Sequence, residues 1–411
     1  MNRNLRLFYG RVFRLLFCCV AAFSAFAAGA SAQTTTFSGT MMQTGGQYLT
    51  TADFNGDGKT DIAAVGLNLE IYPGAGDGSF QKGTTYTLVR AGTNESPMNV
   101  VKNDFNGDGK TDLAIAFNGT NQIAVFLGGG DGSFQPLARF STLSNGMPDS
   151  MITADFNRDG KADLMTTDGL ACVNGCVNSQ TIAVFDGNGD GTFAAPRRTI
   201  VGTGMLKATI GDFNGDSITD AAIASGIGGR VFILTGNGDG TFRQMPNVVV
   251  VATTDNTDVA VGDFNGDTIQ DLAVAADGES KVGIVLGRGD GTFGPPLIIT
   301  DPNQQRGATL AVGDVNRDGR LDVVVGLSFC CEGNTNTGMY GILYGNGNGT
   351  FQTMTRYFQP VNGRVILSGW YPLLADFNGD GKLDLAGEYI TAMGGGFGGI
   401  FVGMNTTGIT P

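Results

Sequence analysis

Acidic residues recur seven times along the chain in one nine-residue pattern, which reads Asp-Phe-Asn-Gly-Asp-Gly-Lys-Thr-Asp in its best copies. Oxygens at alternate positions of a tight loop can point at one centre, and Ca²⁺ takes roughly six to eight such hard ligands. In the first copy Asp53, Asn55 and Asp57 would supply side-chain oxygens, the Lys59 carbonyl a fourth ligand, and Asp61 the last. The pattern therefore predicts a calcium-binding loop.

The other six copies place the same residue types at the same positions, so we expect up to seven Ca²⁺ ions. Successive copies begin 51, 51, 57, 51, 51 and 62 residues apart. The predicted ligands are Asp104, Asn106, Asp108, Lys110 and Asp112; Asp155, Asn157, Asp159, Lys161 and Asp163; Asp212, Asn214, Asp216 and Asp220; Asp263, Asn265, Asp267 and Asp271; Asp314, Asn316, Asp318, Arg320 and Asp322; and Asp376, Asn378, Asp380, Lys382 and Asp384.

One loop position calls for glycine, because the chain turns there with positive φ. Gly58 satisfies this requirement in the first copy, whereas Ser217 and Thr268 take its place in the fourth and fifth copies. A β-carbon at positive φ costs about 1 kcal/mol or more. We therefore expect these two loops to bind Ca²⁺ more weakly or to turn differently.

Two other interpretations compete with a calcium-loaded hairpin. An EF-hand needs an acid at its twelfth position and flanking helices, but no copy has an acid there and the flanks, such as residues 112–116, are typical of buried strands. A turn that binds nothing is the usual outcome for a single Asp/Asn/Gly string. Seven copies with three carboxylates each favour calcium, because clustered like charges destabilise a turn unless a cation neutralises them.

A second signature, Gly-x-Gly-Asp-Gly-x-Phe in its commonest form, follows the first six loops and ends at Phe80, Phe134, Phe193, Phe242, Phe293 and Phe351. It lacks the Lys-Ser/Thr of a phosphate-binding loop, and its place between two apolar runs indicates a hairpin turn with a core phenylalanine. One unit then contains four strands, which is a propeller blade. We predict an all-β, seven-bladed propeller in which an N-terminal strand at residues 34–37 completes the last blade, whose third strand is residues 399–402.

These two motifs resemble the FG-GAP and VCBS repeat family, the calcium-loop propellers related to the integrin α-subunit head, over residues 34–405. The resemblance implies Ca²⁺ in the first hairpin loop of each blade and a ligand-binding surface on the opposite face. Members of the family serve in adhesion, in lectin-like sugar binding and as domains attached to enzymes. The resemblance therefore implies the fold but does not determine the function.

The N-terminus has the pattern of an export signal. Arginines at positions 3, 6, 11 and 14 precede an apolar stretch at residues 15–28, and Ala30-Ser31-Ala32 suits signal peptidase. We expect cleavage of residues 1–32, a mature domain at 33–411 and a secreted, periplasmic or cell-surface location; an uncleaved membrane anchor is the alternative. Removing four arginines changes the formal net charge from −13 to −17. Such an acidic surface repels nucleic acid and anionic lipid, so we expect neither nucleic-acid binding nor membrane insertion.

Four cysteines remain after the signal, and all lie in extended connections of the third and sixth units: Cys172, Cys176, Cys330 and Cys331. Their even number in an oxidising compartment favours disulfides over a thiolate metal site, with three pairings open and local bridges preferred. The sole tryptophan, Trp370, lies beside Tyr371 just before the expected seventh inner strand and near Arg364. It could stack on a sugar, although packing between blades is the simpler explanation.

The chain contains no histidine, which excludes Ser-His and Cys-His nucleophiles and histidine-liganded zinc catalysis. Most recognisable acids are already assigned to calcium. We therefore expect a monomeric, non-catalytic, calcium-stabilised module that binds a protein or carbohydrate outside the cell. The alternatives are a polysaccharide lyase or dehydratase that uses Tyr, Arg and Lys, and a purely structural cell-surface component.

Overall fold

A computed structural model describes residues 35–407, apart from 43, 90–91, 93–94, 142–147, 169, 172–176, 179–180, 203, 247, 250–255, 277–280, 302–305, 329–339, 358–365 and 392–396. The described residues form strands and turns and contain no helix. In that part of the chain there is accordingly no helix long and apolar enough to cross a bilayer.

Among the described residues the strands form seven antiparallel blade sheets and one separate two-stranded hairpin, and in each of the first six blades the four main strands lie side by side in chain order. The first three blades contain β2 (Gly46–Ala52), β3 (Asp61–Gly66), β4 (Asn68–Tyr72) and β5 (Thr85–Thr87); β6 (Ser96–Asn103), β7 (Asp112–Asn118), β8 (Gln122–Gly128) and β9 (Phe134–Ser141); and β10 (Pro148–Ala154), β11 (Asp163–Asp168), β14 (Thr181–Phe185) and β15 (Arg197–Ile200). The next three contain β16 (Met205–Gly211), β17 (Asp220–Ser225), β18 (Arg230–Gly236) and β19 (Phe242–Gln244); β21 (Asn256–Gly262), β22 (Asp271–Ala276), β23 (Lys281–Val285) and β24 (Leu297–Thr300); and β25 (Arg306–Gly313), β26 (Asp322–Ser328), β27 (Tyr340–Leu343) and β28 (Thr355–Tyr357).

The seventh blade closes the ring with a strand from the other end of the chain. It consists of β29 (Ile366–Ala375), β30 (Asp384–Thr391), β31 (Phe397–Asn405) and β1 (Phe37–Met42), in that order. β1 pairs antiparallel with β31 from Phe37 opposite Asn405 to Met42 opposite Ile400. The predicted closure is confirmed, although the strand begins at Phe37 and not at residue 34. Closure leaves no blade lacking its outer strand, which would otherwise be an open edge for foreign pairing.

The second strand of each blade is buried along nearly its whole length because both of its faces lie against neighbouring blades. In β3, Ala63 and Val65 join a cluster with Leu113 of blade two, whereas Ile62 and Ala64 pack against blade seven. This double burial explains why these segments are continuous apolar runs in the sequence, without the alternation of a half-exposed strand. The first strands of neighbouring blades contact one another around the ring and therefore surround its axis.

The two extended connections lie where the sequence places them, between the second and third strands of blades three and six. In blade three the connection contains a short hairpin, β12 (Leu170–Ala171) paired with β13 (Val177–Asn178). In blade six it spans residues 329–339, which lie outside the described residues, as do Arg364 and the four cysteines that follow residue 32. Blade four carries one further short strand, β20 (Val248–Val249), beside β18.

The closing blade contains a buried carboxyl group that has an electrostatic cost. Glu388 on β30 is 3% exposed, and its Oε1 atom has no hydrogen-bond partner among the residues the structure describes. Burial raises the pKa of Glu388 from 4.5 to about 7. Because the folded state holds this proton more tightly than the unfolded state, the group's contribution to stability is complete below about pH 4.5 and is lost as the pH rises through about 7.

We therefore predict that Glu388→Gln stabilises the protein increasingly as the pH rises. Its advantage over wild type should grow by about 3 kcal/mol between pH 4 and pH 8, measured by denaturant unfolding in the presence of a chelator so that metal binding does not contribute. Asp77→Asn, at a fully exposed carboxylate, serves as control and should show no such growth. A pH-independent difference for Glu388→Gln would contradict this account of the closing blade.

Candidate metal-binding loops

Three hydrogen bonds recur in all seven acidic loops, and a fourth, from the fifth-position N–H to Oδ1 of the first aspartate, recurs in six of them. In the first, Asp53 Oδ1 accepts from the Asp57 backbone N–H at 3.1 Å, and its Oδ2 accepts from Gly58 at 2.8 Å. Asn55 Oδ1 accepts from the Asp57 N–H at 2.9 Å, and Asp57 Oδ1 accepts from the Lys59 N–H at 3.0 Å. The side-chain oxygens therefore fold over their own turn and shape it, as short polar side chains do in Asx-turns.

The positive-φ positions accept side chains that the sequence analysis considered unfavourable. Ser217 and Thr268 have φ of 61° and 70°, in the same left-handed region as Gly58 at 80°. Their N–H groups make the same bond to the first aspartate, at 2.9 and 2.8 Å. The expectation that these loops turn differently is therefore wrong, because the aspartate bond holds the turn; whether they bind calcium more weakly stays a prediction. Arg158 and Arg317, at the fourth position of the third and sixth loops, also have positive φ, which the sequence analysis did not predict.

The ninth-position aspartate is a buried clamp between the two signatures of a blade. Asp61 is fully buried, with Oδ2 accepting from the Phe54 N–H at 2.9 Å and Oδ1 from the Gly74 N–H at 2.8 Å. Burial raises the pKa of Asp61, and the nearby Asp57 and Asp53 carboxylates raise it further. The equivalent aspartates of the other blades are Asp112, Asp163, Asp220, Asp271, Asp322 and Asp384, all fully buried.

The second signature fastens each blade to its neighbour. The Gly132 N–H of blade two donates to the Phe54 carbonyl of blade one at 2.9 Å, and the Phe134 ring meets the Phe54 ring edge-on at 5.5 Å between centroids. Equivalent ring pairs join Phe105 to Phe193, Phe156 to Phe242, Phe213 to Phe293, Phe264 to Phe351 and Phe377 to Phe80. The turns and the acidic loops therefore lie on one face of the ring, and the core phenylalanines belong to the joints between blades.

The joint between blades six and seven lacks this turn, and Asn405 replaces it. Its side-chain amide donates to the Val315 carbonyl at 2.7 Å, where the other joints use a turn glycine, and to the Leu383 carbonyl at 3.0 Å. Its backbone N–H donates to Asp384 Oδ1 at 2.6 Å, as Gly74 does to Asp61. The sequence analysis noted the missing turn but did not identify the residue that substitutes for it.

Comparison with known proteins agrees with these repeated contacts. The family model described as FG-GAP-like repeat matches residues 53–114, 104–166, 212–274 and 263–325. The chain belongs to the FG-GAP-like repeat family. These matches begin at the first aspartates of blades one, two, four and five, and each range includes the residues of the clamp described above.

One curated relative and several solved structures are similar to this FG-GAP chain. Phosphatidylinositol-glycan-specific phospholipase D of Rattus norvegicus is 31% identical in an alignment 157 residues long that covers 34% of this chain. The chain spans only 19% of that protein's length. Among solved structures, Chaetomium thermophilum Raptor has a TM-score of 0.57 at 11% identity, covering 91% of this chain and 30% of its own.

Two smaller proteins are matched over most of their length. BBS1N, in a complex with ARL6DN, has a TM-score of 0.56 at 12% identity, with 88% of this chain and 92% of that chain covered. An Agrocybe aegerita lectin, described as recognising non-reducing terminal N-acetylglucosamine, has a TM-score of 0.50 at 20% identity, with 89% and 92% covered. At these identities the likeness shows the fold alone.

The FG-GAP loops present the hard oxygen donors that suit Ca²⁺, namely carboxylates, an amide oxygen and backbone carbonyls. Among the described residues, however, no group of three or more acidic, cysteine or histidine side chains converges as a metal-holding cluster. The aspartate oxygens instead accept backbone N–H groups, and a carboxylate oxygen that accepts one such bond retains a second lone pair for a cation. The donor chemistry therefore fits calcium, and its binding stays a prediction.

We predict that Asp61→Asn destabilises the protein even without divalent ions. The amide would direct N–H atoms at one of the two buried backbone donors, leaving that donor without an acceptor at a cost of about 1 to 3 kcal/mol. The measurement is denaturant unfolding in excess EGTA, with the exposed Asp57→Asn as matched control. Equal stability of Asp61→Asn and wild type in EGTA would show that the clamp contributes nothing.

Proposed function

We propose that this FG-GAP propeller is an exported, calcium-stabilised, non-catalytic module that binds a carbohydrate or protein ligand outside the cell. The observation that carries the proposal is the sevenfold repetition of one acidic loop on one face of a closed ring. This arrangement leaves the opposite face and the channel to vary between blades. A scaffold with one face repeated from blade to blade and one face that varies suits recognition.

Calcium is assigned to the loop oxygens. Asp53, Asn55 and Asp57, with the Lys59 carbonyl and the remaining lone pairs of Asp61, would hold it in blade one, and the corresponding predicted ligands in the other six. A bound Ca²⁺ would supply positive charge that offsets the mutual repulsion of three carboxylates in one loop. The Lys59 side chain also contacts both the following turn and the loop: its stem lies against Gly76 of the same blade, and its Nζ is 3.9 Å from Asp57 Oδ2.

Calcium should raise the melting temperature, because a ligand of the folded state alone stabilises by mass action, by about 2.7 kcal/mol per site at a hundredfold excess over Kd. Thermal unfolding in EGTA and in millimolar Ca²⁺, together with elemental analysis of gently purified protein, measures both stability and stoichiometry. Asp57→Asn should weaken one site, whereas Asp77→Asn in the neighbouring turn should weaken none. An identical transition in EGTA and Ca²⁺ would contradict the proposal.

Export and ligand binding are tested separately. Mass spectrometry of the protein secreted by its leader should show a chain that begins at Gln33. The mature protein should be retained on at least one immobilised polysaccharide from a panel of neutral and acidic glycans, in the presence of Ca²⁺, without releasing products. New reducing ends or unsaturated products would support the lyase alternative, and the absence of retention on every glycan would exclude carbohydrate from the proposed ligands.

A further inference from the structure

The first strands carry a ring of polar residues at the end of the channel opposite the acidic loops. Five residues before the first aspartate of each loop, all seven blades have a side chain that can hydrogen-bond, and each first strand has a β-bulge or similar irregularity beside that position. Bulges re-aim side chains and are common next to functional sites. The residues are Tyr48, Asn99, Ser150, Lys207, Asp258, Thr309 and Tyr371.

Three members of this ring hold neighbouring blades together. Ser150 Oγ accepts from the Ala208 N–H of the next blade at 3.1 Å, and Thr309 Oγ1 accepts from the Tyr371 N–H at 3.0 Å. Asp258 Oδ2 accepts from the Leu310 N–H at 2.9 Å. These bonds fix the ring in place. Asp258, whose Oδ1 also accepts from the Val259 N–H at 2.8 Å, still has a second lone pair on each carboxylate oxygen.

Lys207 and Tyr371 meet across the channel. The Lys207 Nζ lies 5.1 Å from the centroid of the Tyr371 ring, although the two residues belong to blades four and seven, which are not neighbours. Such a contact is made across the axis of the ring. The Tyr48 ring of blade one lies 5.4 Å from the Tyr371 ring, and the charge of Asp258 acts on both Lys207 and Tyr371. Side chains from four blades therefore converge at one point.

Two further observations set this cluster apart from ordinary packing. Tyr371 has φ of 51°, a left-handed conformation that is rare for a bulky residue and that tends to occur at functional sites. Glu388, whose charge also acts on Tyr371, is nine-tenths or more buried, and its Oε1 atom has no hydrogen-bond partner among the described residues. Tyr48, Lys207, Asp258 and Tyr371 themselves remain partly exposed.

The chemistry of the cluster favours a neutral ligand rich in hydroxyl groups. The cluster contains one ammonium and one carboxylate, so an anion would meet the charge of Asp258 and a cation the charge of Lys207. Two phenol rings supply apolar surface with polar tips, and the charged groups supply both donors and acceptors. A sugar residue combines an apolar face with alternating hydroxyls and so complements all of these groups.

We infer that the channel mouth formed by Tyr48, Lys207, Asp258 and Tyr371 is the binding site for a neutral sugar residue of a glycan. This inference rests on the proposed carbohydrate-binding function and adds its location and ligand class. A competing location exists on the outer side of the ring, where a cavity of about 470 Å³ between blades one and two is lined by Thr85, Tyr86, Phe126 and Leu137, among others.

The test uses immobilised glucan, mannan, galactan and chitin, and then a soluble oligosaccharide of whichever polymer retains the mature wild-type protein. Lys207→Met and Tyr371→Phe should each raise the Kd about tenfold or more, because each removes a hydrogen bond to the bound sugar, from a charged ammonium in one case and from a partly buried phenol in the other. Lys102→Met is the matched control: Lys102 is on the first strand of blade two near the acidic loops and donates to the Thr51 carbonyl. Its Kd should stay within about twofold of wild type.

Affinity can be read from the emission of Trp370, the sole tryptophan, which precedes Tyr371 in the sequence. Circular dichroism and melting temperature check that each variant is folded. If wild type binds a glycan and both channel variants keep its affinity while Thr85→Arg, which places a long charged side chain in the outer cavity without adding a second tryptophan, abolishes it, the channel site is wrong and the proposed function stands. If wild type is retained on none of the polymers, the sugar site and carbohydrate binding fail together.

Discussion

The buried ninth-position aspartate is the interaction on which the rest of this propeller depends. A carboxylate placed out of water is costly unless its oxygens are hydrogen-bonded, and in blade one Asp61 accepts two backbone N–H groups, those of Phe54 and Gly74. Those two bonds set the acidic loop and the end of the third strand at a fixed distance. The turn that follows is then placed to reach the next blade, so one side chain links the geometry within a blade to the contact between blades.

The joints between blades show how a repeated sequence produces a closed ring. Six joints combine a glycine N–H, a loop carbonyl and an edge-on pair of phenylalanines, whereas the seventh relies on Asn405 and its two carbonyl acceptors. The seventh joint differs because the outer strand of the closing blade comes from the N-terminus, so that no turn connects it to β31. An asparagine side chain supplies the donor that the missing turn would have provided.

The two faces of the ring differ in whether their residues repeat from blade to blade. On the loop face every blade repeats the same acids, whose mutual repulsion the proposed Ca²⁺ ions would offset. At the other end of the channel the seven blades present six types of polar residue at one register, and three of these side chains hold neighbouring blades together. Because the repeated joints between blades stabilise the ring, the residues at this end of the channel can differ from blade to blade. The strained Tyr371 lies there.

Much of the architecture could be predicted from the chain because it is local and repeated. The period near fifty, the strand signals and the Asp/Asn/Gly turns indicated seven four-stranded blades, and the unpaired strand at each end indicated ring closure. The same reasoning overestimated the need for glycine at the positive-φ position, since Ser217 and Thr268 adopt the turn with their N–H groups donating to the first aspartate. It also placed Trp370 before the seventh inner strand, whereas β29 includes it.

What the sequence determined by itself was the repeat, and hence the strands, the loops and their donor atoms, because these follow from spacing within about fifty residues. What only the tertiary structure decided was which distant residues meet: Asn405 with Val315, Phe37 with the last blade, and Lys207 with Tyr371 across the channel. Those contacts join residues that are dozens to hundreds of positions apart. Their partners are set by the closing of the ring, which places blades side by side or face to face irrespective of their separation along the chain.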